Sequence, residues 1–239
     1  MQRLDLTLDA VMNIALDDAL IETAENVDDH PEVLRFWEPE DPIVVIGRSS
    51  PLSTEVNHEF CRDNQITVVR RVSGGQSIVA GPGCLMYALL LDMRLRPELR
   101  SLDQAHRIVI EAMQEAISSL GVETQMQGTC DLTFNGRKFS GNAVRCRRNW
   151  MLYHGTVLCD FDLDLIENCL GTPIRQPEYR QQRSHADFVS RIPVSTQAVA
   201  DALAQQWQAT DRFEAVPIEL AESLKQEKYL TEEWLAKVP

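Results

Sequence analysis

Basic charge, long apolar runs and paired cysteines are all scarce in this sequence, and each scarcity removes a class of function. Lys and Arg number 23 against 36 Asp and Glu, for a formal net charge of −13. So acidic a chain does not grip nucleic acid through a broad electrostatic footprint. No nucleic-acid partner is therefore expected, although a local basic site stays open. No apolar stretch approaches the ~20 residues of a membrane-spanning helix, so no membrane partner is expected either. The opening residues, "MQRLDLTLDAVMN", lack the basic-then-apolar order of a secretion signal, which predicts a cytoplasmic protein. The six cysteines (Cys61, Cys84, Cys130, Cys146, Cys159 and Cys169) form no C-x-x-C pair and mostly fall within apolar segments. That usage predicts free buried thiols rather than disulfides or zinc. No internal repeat or low-complexity linker divides the chain.

The composition, 44% hydrophobic and 25% charged, is that of an ordinary globular protein. "LDAVMNIALDDALIETAEN" predicts an amphipathic helix with Val11, Ile14, Ala15 and Ala19 inward and its acidic residues outward. "EVLRFWEP", "DPIVVIGRS" and "ITVVRRVS" predict strands, and "EVNHEFCRDN" a short helix with Val56 and Phe60 one turn apart. The continuous apolar run "CLMYALLLDM" predicts a strand buried on both faces. "SLDQAHRIVIEAMQEAISSLG" predicts a long helix with a capping box at Ser101 and Gln104 and a stop at Gly121. Strand-like runs around the Asn135-Gly136 turn, then "RKFSGNAVRCR" and "WMLYHGTVLCD", predict an antiparallel meander. A short helix "DLDLIENCLG", a polar loop over residues 172–183 and helices at "STQAVADALAQQWQ", "IELAESLKQ" and "TEEWLAKV" complete the chain. This mixed order predicts an α+β fold around a mostly antiparallel central sheet flanked by helices.

Three stretches carry chemistry. In "RRVSGGQSIVAGPG" two arginines end a strand and a glycine pair follows. Paired arginines suit a phosphate or carboxylate, and glycines let a backbone approach a ligand; a hairpin with a basic edge is the plainer alternative. In "CDLTFNGRKFSGNAVR" the hairpin turn places Lys138, and the small residues Ser140, Gly141, Asn142 and Ala143 leave room beside it. In "LYHGTVLCD" His154 and Gly155 interrupt an apolar strand.

Together with "LRFWEPEDPIVVIGR", "EVNHEFCRDNQITVVRRVSGG" and "EKYLTEEW", these stretches resemble the lipoate–protein ligase family, within the biotinyl/lipoyl protein ligase and octanoyltransferase group. The resemblance runs in order over roughly residues 30 to 235, and no "GRGRxGR" loop of biotin ligases is present. It implies a class II synthetase-like biotinyl/lipoyl transferase catalytic domain. It also implies ATP-dependent activation of lipoate or octanoate to acyl-AMP and transfer of the acyl group to a lysine. Lys138 is the implied catalytic residue. Arg71, Ser73, Gly74, Gly75, Gln76, Ser77, Gly141, Asn142, His154 and Gly155 are the implied binding residues, with Trp37 in the wall of an acyl tunnel. The implied cofactors are ATP and Mg²⁺, with lipoate as substrate, and Asp131 is the implied Mg²⁺ ligand beside a plain turn role.

The opening motif departs from the ligase form: "SGGQ" replaces "SGGG", and Ala80-Gly81 stand where His-Asp would be. "GGQSIVAGPGCL" resembles the octanoyltransferase form, which works through a Cys thioester without ATP, but carries Ala80 at that form's His and Cys84 at its Gln, so the stretch is a hybrid of the two. Cys84, Cys130 and Cys169 are the cysteines to consider for that alternative, and a non-catalytic homologue is a third. The implied partner is a lipoyl carrier domain, such as the glycine cleavage H protein or a 2-oxoacid dehydrogenase subunit. Two arginine groups would dock it: Arg145, Arg147 and Arg148, and Arg175, Arg180, Arg183 and Arg191. The expected organisation is a catalytic domain over 1–192 and a short helical C-terminal extension over 193–239 packed on it. With no separate accessory domain in the sequence, a separate accessory subunit is a further expected partner.

Overall fold

In the computed structural model, which describes residues 1–171 and 176–238, a larger and a smaller β-sheet pack against each other, with helices around them. The chain runs β1 (Gln2–Asp5), α1 (Ala10–Asn26), β2 (Val33–Trp37), β3 (Ile43–Ile46), α2 (Leu52–Glu55), α3 (His58–Asp63), β4 (Thr67–Arg70), β5 (Ile78–Ala80) and β6 (Cys84–Asp92). It continues with α4 (Leu102–Ser118), β7 (Gln125–Gln127), β8 (Asp131–Phe134), β9 (Arg137–Cys146), β10 (Trp150–Leu158), α5 (Asp164–Cys169), α6 (His185–Phe188), α7 (Thr196–Gln206), β11 (Asp211–Arg212), α8 (Ile218–Leu224) and α9 (Glu232–Leu235). The larger sheet has the order β11-β1-β2-β6-β10-β9-β8-β7, and the smaller one β4-β3-β5. β1 pairs in parallel with β2 and β11, and β3 with β4; the other pairs are antiparallel. The fold is thus α+β with a mostly antiparallel central sheet. The strands predicted at "EVLRFWEP" and "DPIVVIGRS" form, but they belong to different sheets.

β6 is buried along its whole length. Leu85, Tyr87, Leu89 and Leu91 pack with α4 and α7 on one face. Cys84 and Met86 meet the small sheet on the other, and Ala88 and Leu90 meet α1 there. Alternation sends successive side chains to opposite faces, so a strand covered on both must be apolar throughout. The Asn135-Gly136 turn has φ of 51° and 73°, as a two-residue hairpin loop with both φ positive requires. Gly121 has φ +80° beyond the end of α4.

Three local expectations change. Ser101 is the N-cap of α4, but its side chain makes no capping hydrogen bond, so no capping box closes. Val56 lies before α3 and bridges to Leu170. The acidic residues of α1 are not all outward: Asp17 and Asp18 are buried. Asp18 accepts from Lys228 Nζ at 2.7 Å and Tyr229 Oη at 3.1 Å. Asp17 meets Arg35, as described below. Partners from distant strands and helices offset the burial of these carboxylates.

The C-terminal elements share the same cores. Val199, Ala200 and Leu203 of α7 join the cluster under α4, and Ala221 of α8 joins the one under α1. No helix among the described residues is long and apolar enough to cross a membrane.

Candidate active site

Arg70 ends strand β4 and Arg71 follows it, and alternation along the backbone sends them to different places. Arg70 is fully buried; its guanidinium donates to the carbonyls of Gly47 (2.7 Å), Ser50 (2.8 Å) and Leu235 (2.8 Å). It staples α9 to the small sheet and is a structural residue. Arg71 turns the other way, to the wall of a cavity of about 440 Å³ between the two sheets. It donates to Val45 O (3.0 Å), Ser73 Oγ (3.0 Å), Gly74 O (2.7 Å) and Gln76 O (2.9 Å). All four acceptors are neutral. Burial pushes the guanidinium down to about 10, against the pull of Glu55. A buried cation ringed by neutral oxygens is a ready receptor for an anion.

The glycine loop wraps this guanidinium. Gly75 has φ +90°, and a Cβ there would sit 2.9 Å from Arg71 Nη2. Its carbonyl accepts from Ser50 Oγ at 3.0 Å, and a Cβ on Gly47 would lie 1.8 Å from that same oxygen. Gly47 therefore leaves the space that the loop fills. Gly75, Gln76 and Ser77 line the cavity; Gly74 is exposed, and Ser73 is buried behind the wall. The Ser77 N–H and hydroxyl both donate to Glu55 Oε2, at 2.8 and 2.7 Å. These donors hold one of the chain's own carboxylates, which the sequence reading did not anticipate.

Lys138 faces this loop from the other sheet. Leu132 pairs with Ser140 and Thr133 with Lys138, so β9 carries one extra residue at this point. A bulge re-aims side chains locally. Here it sends Phe139 into the core under α4, while Lys138 and Gly141 both reach the cavity. Lys138 Nζ pairs with Asp131 Oδ1 at 2.7 Å, and Asp131 Oδ2 accepts from Tyr179 Oη at 2.7 Å. Among the described residues no three His, Cys, Asp or Glu gather as a metal site. Asp17 and Asp131 are the two carboxylates among the residues that line this cavity; Asp17 is taken up by Arg35 and His154, which leaves Asp131 beside Lys138. That suits an ion such as Mg²⁺, which keeps waters and is held largely by substrate phosphates.

Asn142 and Gly155 act on each other. Gly155 pairs with Asn142 across β9 and β10, and a Cβ on Gly155 would lie 2.1 Å from Asn142 Oδ1. The amide donates to Cys130 O at 2.6 Å and accepts from Tyr87 Oη. It thereby holds the 128–130 turn on the cavity rim. His154 is 8% exposed; its Nε2 lies 2.6 Å from Ser73 Oγ and its Nδ1 3.0 Å from Asp17 Oδ2. Asp17 also accepts from Arg35 at 2.5 Å. Neither Asp17 nor Arg35 stood out in the sequence, because nothing local marks them as buried.

Ile14, Val45, Ile78 and Met86 make the apolar part of the wall. Trp37 does not line the cavity; it is a core residue, 3% exposed, with the Arg35 guanidinium 5.4 Å from its ring centre. A smaller adjoining cavity of about 90 Å³ shares Lys138, Ser77 and Gly141, and is closed by Arg180, His185 and Phe188.

Of the cysteines weighed as nucleophiles, Cys84 and Cys169 are fully buried in the core beside the small sheet. Burial, with Cys61 adjacent, pushes Cys169 up to about 12. Cys130 lines the cavity, and burial with Asp131 nearby pushes it up to about 11. The second arginine group is not an open patch. Arg180 is buried against Phe188, Arg183 bonds Tyr179 O at 2.9 Å, Arg191 pairs with Asp160, and Arg175 lies outside the described residues. In the first group Arg147 pairs with Glu22, while the Nε of Arg145 has no hydrogen-bond partner.

The family described as lipoyl protein ligase A/B catalytic domain matches residues 9–208. A putative lipoate-protein ligase A of Aeropyrum pernix is 28% identical over 202 residues, 84% of this chain and 72% of that protein. Lipoate–protein ligase 1 of Staphylococcus aureus is 28% identical over 68% of this chain, which spans 47% of that ligase. Octanoyltransferase LipM of Brevibacillus brevis is 23% identical over 93% of each chain. Among solved structures, the bi-partite lipoate protein ligase of Thermoplasma acidophilum, described with its E2 lipoyl domain, superposes with a TM-score of 0.81 at 23% identity, over 100% of this chain and 98% of that one. A lipoate-protein ligase A bound with ATP gives 0.80 at 23% over 100% of both chains. At this identity the structural likeness speaks for the fold.

Proposed function

Because the chain belongs to the lipoyl protein ligase A/B catalytic domain family, we propose that it is a lipoate–protein ligase. It would activate lipoate or octanoate with ATP and pass the acyl group to the lysine of a lipoyl carrier domain. The observation that carries this reading is the pairing of Arg71 and Lys138 across one cavity with an apolar wall. An acid on an apolar tail needs that wall. Its carboxylate and an α-phosphate, brought together, need two cations.

In the first step a carboxylate oxygen attacks the α-phosphorus and the bond to pyrophosphate breaks. Arg71 holds the carboxylate, and Lys138 leaves Asp131 to follow the charge on the phosphate. In the second step the acceptor amine attacks the acyl carbonyl, AMP leaves with the bonding pair, and the amine loses its proton. Mg²⁺ would neutralise phosphate charge from Asp131, the carboxylate that Lys138 vacates. A carrier such as the glycine cleavage H protein or a 2-oxoacid dehydrogenase subunit would present the lysine. The bi-partite neighbour favours a separate accessory subunit for the adenylation step.

A second reading has its own support: the likeness to LipM spans 93% of both chains, and Cys130 stands on the cavity wall. A transferase would carry the acyl group on that sulfur. A thiol pushed up to about 11 is protonated at neutral pH and a poor nucleophile, so the ligase reading is preferred. The protein is incubated with ATP, Mg²⁺ and lipoate, with and without an accessory subunit, and lipoyl-AMP is sought. A hydroxylamine-labile acyl adduct on Cys130 from octanoyl carrier protein, without adenylate, would reverse the ranking.

A further inference from the structure

A buried chain of polar groups runs from α1 to the cavity wall. Arg35 donates to Asp17 Oδ1 at 2.5 Å and to Asn13 Oδ1 at 2.5 Å. Asp17 Oδ2 is 3.0 Å from His154 Nδ1, and His154 Nε2 is 2.6 Å from Ser73 Oγ. Ser73 Oγ in turn accepts from Arg71 Nε at 3.0 Å. Every member from Asp17 to Arg71 is less than one-tenth exposed. The chain joins five elements distant in sequence: α1, β2, β10, the glycine loop and the end of β4.

We propose that His154, with its tautomer set by Asp17, is a positioning residue that acts through Ser73 on Arg71. An ionised carboxylate only accepts, so Nδ1 carries the proton toward Asp17. In the neutral imidazole Nε2 is then an acceptor and takes the Ser73 O–H. That leaves a Ser73 lone pair directed at Arg71 Nε. The remaining guanidinium bonds go to Val45 O, Gly74 O and Gln76 O, two of them on the loop that follows Ser73. One hydroxyl orientation thus decides how the anion-receiving cation and its loop are held together. The Arg35–Asp17 pair anchors the far end, because Arg35 is fully buried and holds the carboxylate ionised.

The inference rests on the acyl-site reading of the cavity, and its test separates the two. Octanoate binding is measured by calorimetry without ATP for the wild type, His154→Leu and His154→Gln, each with a cooperative melt. A glutamine carbonyl can stand at the Nε2 position and accept from Ser73; leucine cannot. His154→Leu is expected to weaken binding by about tenfold, the order of effect of leaving a buried hydroxyl without its partner, and His154→Gln to restore most of it. Equal affinity in all three proteins, or equal loss in both variants, overturns the proposal. In parallel, ¹⁵N chemical shifts of wild-type His154 report its tautomer. A protonated Nδ1 with a bare Nε2 is expected; the opposite tautomer or a doubly protonated ring overturns the proposal even if the variants fail to fold. If the wild type binds no octanoate, the acyl-site reading falls, and the tautomer alone decides the relay.

Discussion

Gly141→Ala tests the site more finely than deleting a charged residue. A Cβ on Gly141 would lie 2.8 Å from Lys138 Nζ and 2.9 Å from Lys138 Cε, with Asp131 Oδ1 at 3.8 Å. Carbon–nitrogen contact needs about 3.5 Å, so the ammonium must give way by several tenths of an ångström. No backbone atom is among the neighbours, and the lysine tip is free to swing. The stability change is therefore small. Losing a partly exposed ion pair costs up to about 1 kcal/mol, and replacing Gly by Ala within a strand returns roughly 0.5–1 kcal/mol. The melting temperature should stay within about 4 °C of the wild type. Catalysis should suffer far more, because a ~1 Å misplacement of a reacting group costs about 10²-fold. The assay is acyl transfer to a carrier domain, with the melt recorded on the same preparation. Wild-type kcat/KM in a folded Gly141→Ala protein would refute the placement of Lys138 at the reacting centre. A collapse of the melt would refute the claim that only a flexible tip is displaced.

Lys138→Ala should lower kcat for acyl transfer by ~10²-fold or more and leave the melt nearly unchanged, since the side chain is 28% exposed and pairs only with a partly exposed Asp131; retained activity in steady-state assays would count against its catalytic role. Arg71→Lys should weaken binding of the acyl acid, because an ammonium cannot span Ser73 Oγ, Val45 O and Gln76 O together; unchanged affinity by calorimetry would show that the planar fork is not needed. Asp17→Asn should cost about 3 kcal/mol or more at neutral pH by leaving Arg35 buried and unpaired. Burial pushes the Asp17 carboxyl up, but Arg35 and His154 outweigh it and hold the group below its ordinary value. Its contribution is therefore complete above the unfolded value of about 3.9 and is lost as pH falls through the folded one. The gap between wild type and Asp17→Asn in denaturant melts should stay constant from pH 7 to 5 and narrow below about pH 4; a constant gap down to pH 3 would contradict the sign.

The meander, the long helix α4 and the doubly buried β6 were legible in the sequence because each is written in local periodicity or turn chemistry. Asn135-Gly136 can only be a tight turn between strand-like runs, and a nine-residue apolar strand must be covered twice. The motifs around Gly75, Lys138 and His154 were legible as well, since their residue types are unusual within apolar strands. What the chain could not disclose locally was direction and partnership. Arg70 and Arg71 are equivalent as letters. Only the packing of α9 beneath the small sheet makes one a staple, and only the cavity puts the other on its wall. Asp17 reads as the polar face of an amphipathic helix until β2 brings Arg35 against it. Trp37 reads equally well as tunnel wall or core, and Cys84 and Cys130, each in or beside a motif, read as comparable candidates until the sheets close and leave Cys84 and Cys169 in the core and Cys130 on the cavity wall. Burial is set by elements far away in sequence, and the charge a side chain can keep, and so its role, follows from burial and from the partner it meets there.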